Sequence, residues 1–213
     1  MAKYTTYRIR GIPIGWAEDT TEARIKDALS TTGFVQVKLR SLAVDLSRPA
    51  ESVATVDFAN TPEGLSVSNG VDEWRIQIAD GPLLFLDTHF RGCTPLYCPS
   101  QESWRSDLVA ISGLNGHAFG ALKKKKDSYM WLRDDLPRDL RETRIIIYGY
   151  DTRLEGSHSF QNVSDIGIKF RSALRGIRKP DPSKPLLLLG HSLGGIIIKE
   201  AIHKMRISPT EAD

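Results

Sequence analysis

Residues 184–200, KPLLLLGHSLGGIIIKE, decide how the second half of this chain folds. The leucine run at 186–189 is short, continuous and apolar, which is typical of a strand covered on both faces in a parallel sheet. The letters GHSLG that follow fit the G-x-S-x-G pattern, in which a sharp strand-to-helix turn presents a serine. The isoleucines at 196–198 then predict a helix that packs on the sheet.

Ser192 is the candidate nucleophile of this turn. A turn this sharp forces an unfavourable backbone conformation on the serine and brings neighbouring chain close to it, so Gly190 and Gly194 are needed for their lack of a Cβ. The helix that begins near Leu193 directs its N-terminal amides at the same point, where they stabilise a developing negative charge. Leu193 N–H is therefore a predicted oxyanion donor. A bare G-x-S-x-G also occurs by chance in loops, and the flanking strand and helix favour the turn.

Composition places the chain among soluble proteins with one large or two small domains. Its 213 residues are 40% hydrophobic, and 29 basic and 26 acidic residues leave a formal charge of +3, which gives no indication of nucleic acid binding. Two cysteines, Cys93 and Cys98, fit a reducing compartment, and with His89 they fall short of a closed zinc site. We expect no metal, no cofactor and no transmembrane segment, and a cytoplasmic location.

Residues 4–92 predict a small domain of alternating strands and helices. Strand patterns occur at 7–12, at 54–58, at 74–78 and at 83–86, and the pattern at 35–46 predicts either a long strand with a bulge or a turned pair of strands. A capping box at 19–22 and the helix-start signal at 61–63 predict the two helices between them. The resulting order, βαββαβ, predicts a ferredoxin-like fold.

This order also resembles an RNA-recognition motif, which stacks bases on aromatic side chains of its sheet. Arg8 stands where the first strand of that family carries an aromatic ring, and Val53 and Thr55 stand at the stacking positions of the third strand. Because the stacking platform is missing, we expect no nucleic acid partner. A protein-contact role is equally compatible with the fold.

The turn-rich passage at 93–106 is predicted to be a linker, and a second domain is predicted at 107–213. A short apolar strand at 108–111 runs into the glycine-rich loop at 112–117. In a fold with this kind of serine turn, such a loop supplies the second oxyanion amide, so Leu114 N–H is the candidate; a plain tight turn is the alternative. The alternation of strands and helices after residue 107 predicts right-handed crossovers and a parallel sheet.

Four ordered motifs carry a family resemblance: VAISGLNGH at 109–117, WLRDDLP at 131–137, IIIYGYD at 145–151 and LLLLGHSLGGIIIKEAI at 186–202. They resemble the serine active site-containing protein family of α/β-hydrolases, particularly its fungal members, which are similar to lipases and esterases. The resemblance implies the N-terminal half of an α/β-hydrolase sheet, Ser192 as nucleophile, and Leu114 and Leu193 around the oxyanion hole. Ser112-Gly113 departs from the family's histidine-glycine. Relatives associate with mitochondrial or endoplasmic reticulum membranes, which implies peripheral membrane association as the alternative location.

The catalytic triad of this fold runs serine, acid, histidine along the sequence, and only residues 193–213 follow the serine. His203 lies eleven residues on, roughly 15 Å along the same helix, too far to reach Ser192. We therefore expect a truncated chain, an incomplete gene model or a gene remnant, with a natural short protein as the alternative. We expect its turnover to be negligible, with the acid and histidine beyond residue 213. The two function classes are a serine hydrolase acting on a small-molecule or lipid ester, and a non-catalytic interaction module of a larger receptor-like or membrane-associated protein.

Overall fold

The protein is a mixed α/β structure with two β-sheets. The computed structural model describes residues 5–30, 35–62, 64–65, 72–113, 116–124, 127–151 and 163–207. The elements of the N-terminal part are β1 (Thr6–Pro13), α1 (Glu18–Leu29), β2 (Val37–Val44), β3 (Glu51–Phe58), β4 (Glu73–Gln77) and β5 (Leu83–Asp87). Those of the second part are β6 (Gly92–Tyr97), β7 (Ser106–Ile111), a 3-10 turn (Gly120–Leu122), α2 (Trp131–Asp134), α3 (Leu136–Asp139), β8 (Thr143–Gly149), α4 (Val163–Arg178), β9 (Leu186–Gly190) and α5 (Leu193–Ile207).

The first sheet is antiparallel throughout, in the order β2-β3-β1-β5-β4. One face packs against α1 around a core that includes Ile9, Ile25, Val56 and Leu86. The predicted second helix falls on residues 61–71, and of these 63 and 66–71 lie outside the described residues. The ferredoxin-like class therefore stays a prediction.

Two local predictions for this sheet have different outcomes. The bulge is confirmed, because the pairing of β2 with β3 shifts register between Leu39 and Ser41. The capping box is wrong: α1 begins at Glu18, and no side chain caps it. Glu22 instead accepts a hydrogen bond from the backbone of Leu39 at 2.7 Å, so its carboxylate joins the helix to β2.

The other face of the first sheet is buried against the second part of the chain. Arg8, Val53 and Thr55, at the positions where an RNA-recognition motif would stack bases, are 2%, 2% and 0% exposed. Strand β6 packs across β2 and β3 on this side. Arg8 bonds to Asp87 and also donates to the Thr94 hydroxyl of β6 at 2.8 Å. The arginine that replaces an aromatic ring is thus part of the contact between the two sheets.

The second sheet has the order β6-β8-β7-β9. Strands β8, β7 and β9 run parallel, as the alternation of strands and helices predicts, and β6 is an antiparallel edge strand. Helices α4 and α5 pack against each other and bury Ile166, Phe170, Ile197 and Ala201 against the sheet. The carboxyl ends of the three parallel strands consequently meet at one edge, where the loop after β7 and the turn after β9 lie.

The predicted linker at 93–106 is partly wrong, since residues 93–97 belong to β6. Pro95 and the flanking turn residues suggested irregular chain, but a proline is compatible with an edge strand because no further strand needs its missing N–H. Pro95 pairs with Ile146 of β8, and the register shifts between Pro95 and Tyr97. The wider division of the chain into two domains stays a prediction.

Candidate functional site

A sharp turn joins β9 to α5 and holds Ser192 between them. Strand β9 ends at Gly190 and α5 begins at Leu193, so only His191 and Ser192 separate the two elements. Ser192 has φ +55°, in the left-handed region that a non-glycine residue rarely adopts. This is the unfavourable backbone conformation expected for the turn. The serine is exposed to solvent, as a reacting hydroxyl must be.

Close backbone approach on both sides of the serine requires glycine. A Cβ on Gly190 would lie 2.6 Å from the backbone of Gly195, and a Cβ on Gly194 would lie 2.4 Å from the carbonyl oxygen of Ile111. The His191 amide also donates to that carbonyl at 3.0 Å, which fixes the turn to the end of β7. The two glycines singled out in the sequence are therefore the ones that this packing demands.

The loop after β7 comes into direct contact with the serine side chain. A Cβ on Gly113 would lie 2.8 Å from the Ser192 Cβ and 3.2 Å from its Oγ. The preceding residue, Ser112, is buried, and its carbonyl accepts a hydrogen bond from the Tyr150 hydroxyl at 3.0 Å. Burial raises the pKa of Tyr150 to about 12, so its hydroxyl stays protonated and keeps donating at neutral pH.

The two predicted oxyanion amides differ in what the structure describes. Leu193 is the first residue of α5, and the first four amides of a helix have no intrahelical acceptor. Its N–H is therefore available at the same turn as the serine. Leu114 lies outside the described residues, although its neighbour Gly113 contacts Ser192.

Gly113 and Tyr150 are the residues of this site that sequence reasoning missed. The glycine belonged to a loop already marked as an oxyanion loop, so the signal for it was present in the Ser112-Gly113 pair. Tyr150 follows β8, whose carboxyl end lies beside that of β7. Its position after a parallel strand was visible in the sequence, but its partner, the Ser112 carbonyl 38 residues away, was not.

A cavity of about 540 Å³ opens beside the turn. Leu189, Gly190 and His191 form one wall, and the facing wall carries Ala121, Leu122, Lys123, Lys124, Tyr129 and Trp131. Its volume lies within the range of small-molecule sites. The mixture of apolar, aromatic and basic side chains would suit an uncharged or anionic organic group next to the serine.

None of the four histidines in the described ranges is hydrogen-bonded to Ser192. His117 uses both ring nitrogens on backbone groups, with Nε2 on the Thr88 carbonyl and Nδ1 accepting from the Gly120 amide. His89 lies beside Glu73 and Asp87, and His203 is an exposed residue on α5. His191 lines the cavity next to the serine. His158 falls outside the described residues.

Glu73, Asp87 and His89 form the one cluster in the described part of the chain whose ligand atoms are close enough to hold a metal ion. Two arginines already pair with its carboxylates. Arg8 lies 2.8 Å from Asp87, and Arg10 lies 2.7 Å from Glu73. Since these guanidinium groups occupy the carboxylate oxygens, the cluster is an ion-pair network within the first sheet and a poor metal ligand set.

The comparisons with known proteins give a partial likeness in fold. No family model and no curated protein matches the chain. A structure of the NocB thioesterase domain from the nocardicin cluster aligns with a TM-score of 0.38 and 17% identity over 56% of this chain and 46% of that domain. The covalent complex of the same domain with a fluorophosphonate nocardicin G analogue gives a TM-score of 0.38 and 17% identity, over 56% of this chain and 45% of that one. The chain thus spans less than half of the domain it matches, and function must be inferred from its own geometry.

No helix in the described ranges is both long enough and apolar enough to cross a bilayer.

Proposed function

We propose that the second part of the chain is the N-terminal half of an α/β-hydrolase domain, with Ser192 as the nucleophile of a carboxylic ester hydrolase. The observation that supports this best is the φ of +55° at Ser192, held between a parallel strand and a helix. Backbone strain at a single exposed serine is expected where function requires it. The antiparallel edge strand followed by three parallel strands is compatible with that sheet.

In the proposed reaction, Ser192 Oγ attacks the ester carbonyl carbon while a general base takes the hydroxyl proton. The carbonyl oxygen becomes an oxyanion, and the amides of Leu193 and Leu114 are the proposed donors to it. Collapse of the tetrahedral intermediate expels the alcohol, which takes up the proton from the base, and leaves an acyl group on Ser192. Water then attacks this acyl-serine and releases the acid.

Because no described histidine is bonded to Ser192, the general base and its acid partner are proposed to come from outside the described residues. Without a base the hydroxyl stays protonated and weakly nucleophilic. Loss of a triad member typically costs ~10⁴-fold or more in rate. We therefore propose that the described residues alone give negligible turnover.

The substrate is proposed to be a small-molecule or lipid ester that places its acyl or alcohol group in the cavity lined by His191 and Trp131. The lining includes Leu189, Leu122 and Trp131, which offer apolar contact. Lys124 in the same lining pairs with Asp127 at 3.3 Å, and Lys123 donates to the Thr6 hydroxyl.

Labelling with a fluorophosphonate probe tests this proposal. The proteins compared are the 213-residue chain and a chain extended to the end of its reading frame. The extended chain also carries Ser192→Ala or, as a control at another exposed serine, Ser183→Ala. We expect labelling of the extended chain, its loss in Ser192→Ala and its retention in Ser183→Ala. Added imidazole, as an external base, is expected to speed the weak labelling of the 213-residue chain. Absence of labelling in every folded form would falsify the hydrolase proposal.

A non-catalytic interaction module is the second candidate, and the free edge of the second sheet favours it. Within the described residues β9 pairs with a strand on one side only, and Leu187 on it is 45% exposed. An exposed apolar edge strand can accept a strand from another polypeptide. Folded chains that fail to label in the experiment above would support this candidate.

The N-terminal part is proposed to be a ferredoxin-like domain whose role is docking to the second part. Its antiparallel sheet and α1 are compatible with this class. Burial of Arg8, Val53 and Thr55 removes the surface on which bases would stack, which supports the expectation of no nucleic acid partner. We propose a cytoplasmic location, with peripheral membrane association at mitochondria or the endoplasmic reticulum as the alternative.

A further inference from the structure

A second cavity, of about 640 Å³, lies where the two parts of the chain meet. Its walls come from the turn between β2 and β3, from β6, and from the C-terminal end of α4. Strand β6 and β9 are the opposite edges of the second sheet, so this cavity is separate from the one beside Ser192. Junctions between packed units are a common place for small-molecule sites.

The wall of this junction cavity is largely apolar and preformed. Three prolines, Pro49, Pro95 and Pro180, contribute to it, and each fixes its own φ. Leu46 and Ile177 add aliphatic surface. Such a wall binds a hydrocarbon group without first having to order itself.

Gly176 leaves room in the cavity on the helix side. A Cβ built on this residue of α4 would meet no atom within 4 Å. The adjacent wall carries Cys93, whose pKa burial raises to about 12, so its thiol is neutral and acts as a small apolar group. A hydrocarbon chain therefore finds open space bounded by apolar contacts.

Two charged residues line the cavity, and they differ in how they are engaged. The Asp45 carboxylate closes its own turn, with Oδ1 accepting from the Ser47 amide at 2.8 Å and the Ser47 hydroxyl at 2.6 Å. The ammonium of Lys179 has no hydrogen-bond or ion-pair partner within the described residues. Lys179 is thus the cation that this lining offers to a ligand, while Asp45 keeps its negative charge within its own turn.

We infer that the junction cavity binds an aliphatic carboxylic acid, with its hydrocarbon chain against the proline-rich wall and its carboxylate at Lys179. The apolar lining selects the chain, and the lysine selects the acid over the corresponding alcohol. This site is independent of the chemistry proposed for Ser192.

Calorimetric titration of the 213-residue chain with decanoate, octanoate and decanol tests the inference. Each two-carbon shortening is expected to weaken binding by roughly 15-fold, since each buried CH₂ is worth roughly fourfold. Gly176→Phe fills the cavity and is expected to abolish saturable decanoate binding. Ile168→Phe, at an exposed position of the same helix, is the matched control and should bind as the parent chain does.

Lys179→Gln tests the head-group assignment. It is expected to weaken decanoate binding by roughly two- to fivefold, the worth of a partly exposed ion pair, and to leave decanol binding unchanged. Lys169→Gln, at an exposed lysine outside the cavity, should change neither. If Gly176→Phe does not fold, Lys179→Gln and the acid-to-alcohol comparison decide the question.

The inference is overturned by absence of saturable decanoate binding, or by a folded Gly176→Phe chain that binds decanoate as tightly as the parent. The second outcome would place the acid at another site, such as the cavity beside Ser192. Equal loss of decanoate and decanol binding in Lys179→Gln would contradict the carboxylate contact.

Discussion

The two edges of the second sheet are built in opposite ways. Strand β6 contains a proline, yet it is covered by β2 and β3 and tied to Arg8 through the Thr94 hydroxyl. Strand β9 is almost entirely leucine, yet it has no partner on its outer side within the described chain, and Leu187 is exposed. The covered edge stabilises the fold, whereas the open edge carries the turn that presents Ser192.

The two roles, stabilising the fold and presenting Ser192, therefore lie at opposite edges of one sheet. The buried Arg8 guanidinium, which crosses between the two parts of the chain at the covered edge, bonds to Asp87, to the Arg91 carbonyl and to the Thr94 hydroxyl, and a missing partner there would be costly. At the open edge the backbone is strained at Ser192 and held by glycine contacts to the end of β7. Substitutions at the two edges should therefore lower the free energy of unfolding for different reasons: a buried ion loses its partner at the covered edge, and the backbone of the turn is crowded at the open edge.

The largest loss of stability is expected from Arg8→Ala at the covered edge. Arg8 is almost fully buried, and its removal leaves the Asp87 carboxylate without its closest cation. Breaking a buried pair from one side typically costs about 3–5 kcal/mol. Urea denaturation measures the change in the free energy of unfolding.

Arg48→Ala is the matched control, because Arg48 forms an exposed pair with Glu51 at 3.4 Å. An exposed pair contributes about 0–1 kcal/mol. If the two variants unfold at the same urea concentration, the contact between the sheets does not depend on Arg8 and the contrast between the edges is lost.

A smaller loss is expected from Gly194→Ala at the open edge. The added methyl would lie 2.4 Å from the Ile111 carbonyl oxygen, so β7 or the turn must move. Overpacking of this kind typically costs about 1–3 kcal/mol. Gly195→Ala is the control on the next residue, where an added Cβ meets nothing within 4 Å, and we expect no loss of stability there. Equal effects of the two substitutions in urea denaturation would mean that the turn tolerates a side chain at Gly194.

The serine turn could be predicted from sequence because its determinants are local. Gly190, Ser192 and Gly194 lie within five residues, and the strand and helix that they join flank them directly. The parallel arrangement of the strands that precede this turn also follows from the local alternation of strands and helices. What the sequence could not give was the contact of Gly113 with Ser192, because it joins segments far apart in the chain.

The covered edge was predicted less well, for the same physical reason. Pro95 indicates irregular chain unless one knows that, within the described residues, no strand pairs with the outer edge of β6. Arg8 is visible in the sequence as a replacement for an aromatic ring, but its partner Asp87 lies 79 residues away. The capping box at 19–22 failed because Glu22 is engaged by the backbone of Leu39, a tertiary contact that outweighs the local pattern.

A further loss of stability is expected at alkaline pH, and the share of it that comes from Cys93 and Cys98 reports on the covered edge. Burial raises the pKa of Cys93 and of Cys98 to about 12 from an ordinary value of 9.0. Between these values the unfolded chain loses thiol protons that the folded chain retains, so the free energy of unfolding falls as the pH rises. This stabilisation is fully present below about pH 9 and is lost as the pH approaches about 12.

Urea denaturation from about pH 8 to about pH 11 should show this decline in the free energy of unfolding. The double variant Cys93→Ala/Cys98→Ala should make the decline shallower without removing it, because burial also raises the pKa of Tyr150. An unchanged slope in the double variant would mean that the thiols reach solvent and that β6 is less covered than its packing against β2 and β3 implies.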